Sequence, residues 1–318
     1  MKKFALYLLF VALGVAALDG VNRLMVETAL AKLPQDSELK RSFRYTSDCD
    51  AELLVLGASR GVYDYNTKMM ADSLHMTCQS ISMEGMSVIS QFISVKKAVA
   101  QGKTKIIIYD LSTGQLSDDL VENQTSTYYP FYWKNNDVRA YVDQQQGCMM
   151  KYLMASSLIQ YNSMLFDILY TGYVRKTRDI NGYIALPYSG KPFHYEKIDN
   201  SEPALELNPT GERYLQQIVD VCKRNSIRLI LCDSPRVHSE KQLFDDYLED
   251  FARRNQIEFW NYSDYEPINS DMRNFVDLVH INGPAADILT KAIIARLKSS
   301  LQESKNDVAL NVDSAYEE

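Results

Sequence analysis

Three residues of the types that carry out acyl transfer occur at two distant places in this sequence. Ser59 follows the apolar run 53–56 across two small residues, and Asp277 precedes His280 by three positions. Side chains three apart on one turn lie on the same side, so Asp277 could orient the imidazole of His280. The imidazole could then take the proton of a serine hydroxyl. For Ser59 alone, a tight turn or a helix N-cap is the alternative.

A sheet must hold these residues, because strand-like and helix-like segments alternate along the chain. Apolar runs predict five strands, at 52–57, 78–82, 105–110, 227–232 and 257–260. Amphipathic segments predict helices at 66–74, 88–100, 208–225, 240–255 and 284–301. This order predicts an α/β fold of the flavodoxin-like type: a three-layer sandwich with a five-stranded parallel sheet. Sites in such folds lie at the carboxyl ends of the strands, where Ser59 is expected.

A long insertion, about 117–205, separates the third and fourth predicted strands. It contains the aromatic cluster 128–133 and a helix-like segment, 149–173. The aromatic side chains could pack the insertion's own core, or they could form a substrate lid or a platform that stacks against sugar rings. We therefore take Tyr129 and Trp133, together with Arg60 beside the serine, as candidate substrate-binding residues.

The two chemical motifs together resemble those of a known family. A Gly-x-Ser block after the first strand, with Asp-x-x-His before a C-terminal helix, is similar to the SGNH/GDSL hydrolase superfamily, in particular its membrane-anchored bacterial members that face the cell envelope. The matching segments are about 52–115 and 205–300. The resemblance implies that Ser59 is the nucleophile, His280 the base and Asp277 its partner. It also implies that the backbone N–H groups of Ser59 and Gly85 bind the oxyanion.

The sequence departs from the family after the third strand. The family has an asparagine there that donates to the oxyanion, whereas this chain offers Ser112, Thr113 or Gln115. Loss of one such donor can lower the rate by roughly 10²–10³. Asp233 and His238, which follow the fourth strand, are rival candidates for catalytic roles.

The resemblance predicts a serine esterase or O-acyltransferase that acts on acylated, for example acetylated, envelope or extracellular polysaccharide. The alternative is a weakly active or inactive subunit that binds or assembles within a polysaccharide-processing system. No cofactor is implied. The four histidines show no His-x-x-x-His or His-Glu-x-x-His spacing, so a metal enzyme is not expected. A net charge of −7 argues against nucleic acid as a partner.

The N-terminal segment 1–29 is expected to be a membrane anchor or a signal peptide. Lys2 and Lys3 precede an uncharged apolar run, 4–18, which as a helix would span roughly 22 Å of the ~30 Å hydrocarbon core. The helical pattern continues to Ala29, which favours a single-pass anchor with the rest of the chain extracytoplasmic, in the periplasm. The alternative is secretion after cleavage near Ala17.

The remaining boundaries follow from composition. Residues 30–50 are predicted to link the anchor to a hydrolase-like domain at 51–302, and the polar segment 303–318 is predicted to be a disordered tail. Cys49 and Cys78 precede neighbouring predicted strands, so they could form a disulfide in an oxidising compartment or remain two thiols.

Overall fold

The computed structural model describes residues 2–33, 50–117, 121, 125–174, 182–194, 206–237 and 242–314, without the side chains of 242 and 303–314. Within these residues five strands form one sheet: β1 Leu53–Leu56, β2 Cys78–Ser80, β3 Ile106–Asp110, β4 Arg228–Asp233 and β5 Glu258–Asn261. The sheet order is β2-β1-β3-β4-β5, and every neighbouring pair is parallel. The predicted α/β fold with a five-stranded parallel sheet is confirmed.

The α-helices of the described residues lie before, between and after these strands, and the last of them ends the described chain. They are α1 Lys2–Ala31, α2 Ser59–Tyr63, α3 Thr67–Leu74, α4 Val88–Gln101, α5 Asn136–Gln146, α6 Met150–Leu153, α7 Ser157–Gln160, α8 Leu165–Tyr173, α9 Pro209–Arg224, α10 Gln242–Arg254, α11 Glu266–Asn269 and α12 Gly283–Ser314. Short 3₁₀ helices occur at Thr113–Leu116, Thr125–Phe131 and Met272–Asn274.

The strands bury alternate side chains on the two faces of the sheet, which creates a core on each face. In β1, Leu54 and Leu56 belong to the core formed with α4, α9 and α10, whereas Leu53 and Val55 belong to the core formed with α3 and α12. All four β1 side chains are fully buried. Two helical layers therefore enclose the sheet and hold its carboxyl edge in place.

Two helix predictions are wrong in extent. The segment 149–173 forms three short helices, α6, α7 and α8, instead of one. The first of the two breaks ends at Ser156, just before α7, where the hydroxyl groups of Ser156 and Ser157 donate to Asp19 of α1 (2.7 and 3.1 Å) and so compete with a continuous helix. The last helix continues past Leu301 to Ser314, into the segment predicted as disordered, since no glycine or proline stops it there.

The aromatic cluster packs inward. Tyr128, Phe131 and Tyr132 are buried in the core that covers α4 and α9. The Tyr128 hydroxyl group lies 3.0 Å from Ser87 Oγ and 2.6 Å from Ser90 Oγ, both at the start of α4. The insertion is thus joined to the main core rather than packed only on itself.

Candidate active site

The turn after β1 places Ser59 at the carboxyl edge of the sheet. β1 ends at Leu56, and Ser59 is the first residue of α2. A Cβ atom at Gly57 would lie only 3.0 Å from the backbone oxygen of Asp110, at the end of neighbouring β3. The glycine therefore allows the chain to turn closely over β3 and to present Ser59 at the edge.

The loop before α12 is shaped by the side chain of Asp277. Its Oδ1 accepts the backbone N–H groups of Val279 (2.8 Å) and His280 (2.9 Å). The N–H of Val237, which follows β4, donates to the backbone oxygen of Leu278 at 2.9 Å. These bonds hold the loop against the sheet edge and fix the direction of the histidine ring.

Ser59, His280 and Asp277 form one continuous chain of hydrogen bonds. His280 Nδ1 lies 2.7 Å from Asp277 Oδ2, and His280 Nε2 lies 2.7 Å from Ser59 Oγ. The carboxylate can only accept, so Nδ1 carries the proton and the neutral ring accepts the serine hydroxyl at Nε2. Tyr63 contacts the imidazole edge-on, with 5.5 Å between ring centroids. The geometry is that of a nucleophile, a base and an orienting acid.

The carboxyl group of Asp277 is held in its ionised form. Partial burial acts to raise its pKa, but hydrogen bonds from the His280 ring and from the backbone N–H groups of Val279 and His280 outweigh burial and lower it. An ionised Asp277 stabilises the imidazolium that forms when His280 takes a proton.

A cavity of about 260 Å³ opens beside Ser59. Its walls come from both sides of the sheet edge and include polar and apolar groups: Ala58, Ser59, Arg60, Ser112, Thr113, Gly114, Asp233, Arg236, Phe244 and Val279. This volume lies below the 300–1,000 Å³ typical of sites for drug-sized ligands. A small acyl group next to the nucleophile fits such a space.

No protein-family model matches the sequence, and no curated protein matches it. Among solved structures, a GDSL-like lipase from Bacteroides thetaiotaomicron is 12% identical, with a TM-score of 0.37 over 87% of this chain and 96% of the other. The chain is similar in fold to GDSL-type hydrolases.

Two further solved structures have the same character. A protein assigned as an acylhydrolase, from Bacteroides fragilis, is 11% identical, with a TM-score of 0.37 over 86% of this chain and 93% of the other. A protein assigned as a lipolytic member of the G-D-S-L family, from Desulfitobacterium hafniense, is 8% identical, with a TM-score of 0.40 over 76% and 97%. Because these identities and TM-scores are low, the similarity to GDSL-type hydrolases says nothing about the chemistry, which has to be inferred from Ser59, His280, Asp277 and the cavity beside them.

The 3₁₀ helix after β3 occupies the place of the missing asparagine. Ser112, Thr113 and Gly114 all line the cavity. Gln115 does not face it, because its buried amide donates to the backbone oxygen of Asp110 (3.1 Å) and to Ser112 Oγ (3.2 Å). Of the three residues considered as replacements, Gln115 is therefore committed to holding the loop.

Gly85, the expected oxyanion residue of the second block, lies in an exposed turn before α4 with φ of 63°. It is not among the residues that line the cavity. Thr113 and Gly114 do line it, and their backbone N–H groups make no hydrogen bond to any residue that the structure describes. Thr113 is one of the oxyanion candidates named from the sequence, whereas Gly114 is a candidate donor that the sequence motifs do not indicate.

Arg60 has a different environment from the one its sequence position suggested. Its side chain is 6% exposed, and its guanidinium pairs with Asp110 (2.7 Å) and Asp233 (2.6 Å) at the ends of β3 and β4. It also donates to the backbone oxygen of Leu111 at 2.9 Å. Arg60 also lines the cavity, and its Nε has no hydrogen-bond partner among the described residues, so its role as a substrate-binding side chain stays a prediction.

Asp233 belongs to this ion-pair network and not to the proton-transfer chain. It pairs with Arg60 and Arg236, and Arg236 also pairs with Asp245 of α10 at 2.8 Å. Burial acts to raise the pKa of Asp233, but the two guanidinium groups lower it below its ordinary value. Its proposed rival role as a catalytic acid is therefore disfavoured. His238 lies outside the described residues.

The two aromatic candidates lie away from the cavity. Tyr129 packs against the core that covers α4, and the Trp133 indole N–H donates to the backbone oxygen of Met154 at 2.9 Å. Neither lines the cavity. Cys78 is buried and Cys49 lies outside the described residues, so their disulfide stays a prediction.

The network around Arg60 is the part of the site that sequence analysis missed. Its signal was present: an apolar strand ends in Asp110, another ends in Asp233, and an arginine follows the serine. Among the described residues, no group of three or more His, Cys, Asp or Glu side chains could hold a metal ion.

Proposed function

We propose that this protein is a serine-dependent ester hydrolase or acyltransferase. The observation that carries the proposal is the hydrogen-bonded chain from Asp277 through His280 to Ser59, which opens onto a cavity. Ser59 Oγ attacks an ester carbonyl while His280 Nε2 accepts its proton. The tetrahedral intermediate collapses, and the imidazolium returns that proton to the leaving alcohol, so that Ser59 carries the acyl group.

The second half of the reaction reverses these steps with a new acceptor. Water or a sugar hydroxyl attacks the acyl-enzyme, His280 takes its proton, and Ser59 leaves as the free hydroxyl. Oxyanion stabilisation comes from the backbone N–H of Ser59 together with those of Thr113 and Gly114, which line the same cavity.

The substrate class follows from the size and position of the site. A cavity of about 260 Å³ next to the nucleophile favours a short acyl group such as acetyl. Anchoring through α1, with Lys2 and Lys3 on the cytoplasmic side, would place the site outside the cytoplasm. Acetylated envelope or extracellular polysaccharide is therefore the substrate that we propose.

The test is covalent labelling of the purified full chain with a fluorophosphonate probe, compared with Ser59→Ala and Ser112→Ala. Ser112 is a matched control: it lines the same cavity, but its hydroxyl contacts Gln115 rather than a histidine. We expect labelling of the wild type and of Ser112→Ala, and none of Ser59→Ala. Turnover of p-nitrophenyl acetate should fall on the order of 10⁴-fold or more in Ser59→Ala.

An absence of labelling in all three folded proteins would contradict catalysis and would leave a binding or assembly role. If labelling succeeds, turnover measured with and without an oligosaccharide acceptor separates the two reactions. An acceptor that gains the acetyl group identifies a transferase, whereas release of acetate alone identifies a hydrolase.

A further inference from the structure

Helix α1 combines a free apolar half with a docked polar half. The most apolar 18 residues of this helix are all free of burial, and the helix is long and apolar enough to cross a membrane. Val26 and Ala29, by contrast, are fully buried in a small cluster with Tyr161 and Ile168 of the insertion. The helix therefore leaves the protein at a definite point.

Asp19, Asn22 and Arg23 of α1 lie at this point, and each forms hydrogen bonds with the insertion. Asp19 accepts the backbone N–H of Leu158 at 3.1 Å as well as the two serine hydroxyls before it. Asn22 donates to Ser157 Oγ at 2.9 Å, and Arg23 donates to the backbone oxygen of Ala155 at 2.7 Å. Such bonding lets a polar stretch of a helix lie at the depth of a membrane surface.

The opposite face of the same stretch stays apolar and exposed. Val21 and Leu24 are 57% and 67% exposed, so the apolar surface of α1 continues to Met25. From Phe4 to Met25 a helix spans roughly 33 Å, against about 22 Å for the run that ends at Leu18. The longer span matches the ~30 Å hydrocarbon core, which brings the bilayer up to the level of the insertion.

At that level the insertion carries its own exposed apolar surface, here called the insertion patch. It comprises large side chains on or beside α6, α7 and α8 that are between 38% and 77% exposed: Met149, Tyr152, Leu153, Leu158, Ile159 and Phe166. Leu158 is also the residue whose N–H binds Asp19. Lys151 lies 4.9 Å from the Tyr152 ring centroid, and Trp133 is 48% exposed nearby. Aromatic and basic side chains are enriched at membrane interfaces.

We propose that the insertion patch lies in the outer interfacial layer of the lipid bilayer that α1 crosses. A patch of this kind on a soluble surface would be unusual, and a bilayer is the partner that the exit of α1 places beside it. This inference rests on the proposed membrane anchoring of α1. It assigns a role to the insertion, and to Trp133, that is separate from substrate binding.

Depth-dependent fluorescence tests the proposal on the full chain in vesicles of phosphatidylethanolamine and phosphatidylglycerol. Single cysteines that carry an environment-sensitive fluorophore are placed by Tyr152→Cys and Phe166→Cys in the patch, and by Leu13→Cys in the anchor. Lys223→Cys, at an exposed position of α9, is the control that stays in water. The background carries Cys49→Ser and Cys148→Ser. Cys78, Cys222 and Cys232 are buried, which protects them from labelling; burial also raises the pKa of the Cys78 and Cys222 thiols to about 12 and raises that of Cys232.

Lipids with nitroxide groups on their acyl chains then quench any probe that enters the bilayer. We expect both patch probes to lose most of their emission, as the Leu13→Cys probe does, while the Lys223→Cys probe keeps its emission. Patch probes that behave like Lys223→Cys while Leu13→Cys is quenched would overturn the inference and leave the anchor intact. An unquenched Leu13→Cys probe would overturn the anchor itself, and with it the inference.

A protein partner is the remaining occupant to exclude. Patch probes that stay unquenched in pure lipid but become shielded in native membranes would show that another membrane protein covers the patch, which overturns the lipid proposal. Thermal unfolding of each labelled variant, compared with the background protein, confirms that the substitutions leave the fold intact.

Discussion

Two systems of charged side chains meet at adjacent residues, and they differ in their access to water. Ser59 ends the hydrogen-bonded chain through His280 and Asp277, whose side chains are 17% and 48% exposed. Arg60 lies at the centre of an ion-pair network with Asp110 and Asp233, whose carboxyl groups are almost completely buried. One short helix, α2, thus carries the first member of both systems.

This difference separates chemistry from positioning. A histidine that gains and loses a proton in each cycle needs partial access to water, because full burial would penalise its charged form. The Arg60 network joins one buried guanidinium to two buried carboxyl groups. It ties the turn after β1 to the ends of β3 and β4, so it holds Ser59 at the edge where the imidazole reaches it.

The largest expected effect concerns the chemical system. Asp277→Asn should lower kcat for ester turnover by roughly 10⁴, because the amide favours the wrong tautomer of His280. The melting temperature should change little, since the side chain is half exposed. Steady-state kinetics and thermal unfolding of the same preparation measure the two effects. A large loss of stability with normal kcat would place Asp277 in the structural system instead.

The opposite outcome is expected for the network. Arg60→Met leaves Asp110 and Asp233 without their shared cation, which should lower the free energy of unfolding by about 3–5 kcal/mol. Denaturant titration measures this loss. The double variant with Asp110→Asn is the control: it removes the charge left uncompensated, while Asp233 keeps Arg236, so it should recover part of the stability. An Arg60→Met variant as stable as the wild type would show that the network contributes nothing to folding.

The backbone N–H groups of Thr113 and Gly114 are proposed to bind the oxyanion, and Thr113→Pro tests this role for Thr113. Proline removes the N–H at the first position of the 3₁₀ helix, where its fixed φ is tolerated. Ser112 already has the extended conformation that suits a residue before proline, with φ of −124° and ψ of 159°. We expect kcat to fall by roughly 10²–10³. Thr113→Ala keeps the N–H and should retain the rate; equal losses in both variants would assign the effect to the side chain.

The smallest expected effect is a pH dependence of the free energy of unfolding that arises from Asp64, a buried carboxyl group influenced by Asp110 and Arg60. Burial, reinforced by Asp110, raises the pKa of Asp64 well above 3.8, so the folded state binds its proton more tightly than the unfolded state. The free energy of unfolding therefore falls as pH rises above about 4, by up to about 1.4 kcal/mol per pH unit. Asp64→Asn keeps an oxygen that can accept from Ser234 Oγ and removes this dependence.

Stability curves of wild type and Asp64→Asn across pH 4 to 7 provide the measurement. The advantage of the variant should grow with pH. Parallel curves would mean that Asp64 titrates alike in the folded and unfolded states, contrary to its burial.

The strands and the contact between Asp277 and His280 could both be predicted from the sequence, because each depends on residues that are close together in the chain. The central residues of β3 and β4, 106–109 and 229–232, are apolar because both faces of the sheet are covered, and such runs identify strands without knowledge of their partners. Asp277 and His280 stand three apart, so their mutual contact is local. Only their meeting with Ser59 needed the fold, and the strand-end position of the serine indicated it.

The network and the insertion were less accessible because their contacts depend on distant parts of the chain. The position of Arg60 after the serine indicates a substrate-binding side chain, and the sequence does not show that the ends of β3 and β4 lie beside it. The segment 149–173 has a helical pattern, but Asp19 binds its serines and divides it. Local periodicity contains no information about such partners.

The span of the Arg60 network along the chain has a consequence for folding kinetics. Arg60 and Asp233 are separated by 173 positions, so their ion pair closes only after β1, β3 and β4 have assembled in register. Contacts that form after the rate-limiting step leave the folding rate almost unchanged and slow unfolding. We therefore expect the network to act mainly on the lifetime of the native state, which is the property that resists irreversible loss where refolding is not assisted.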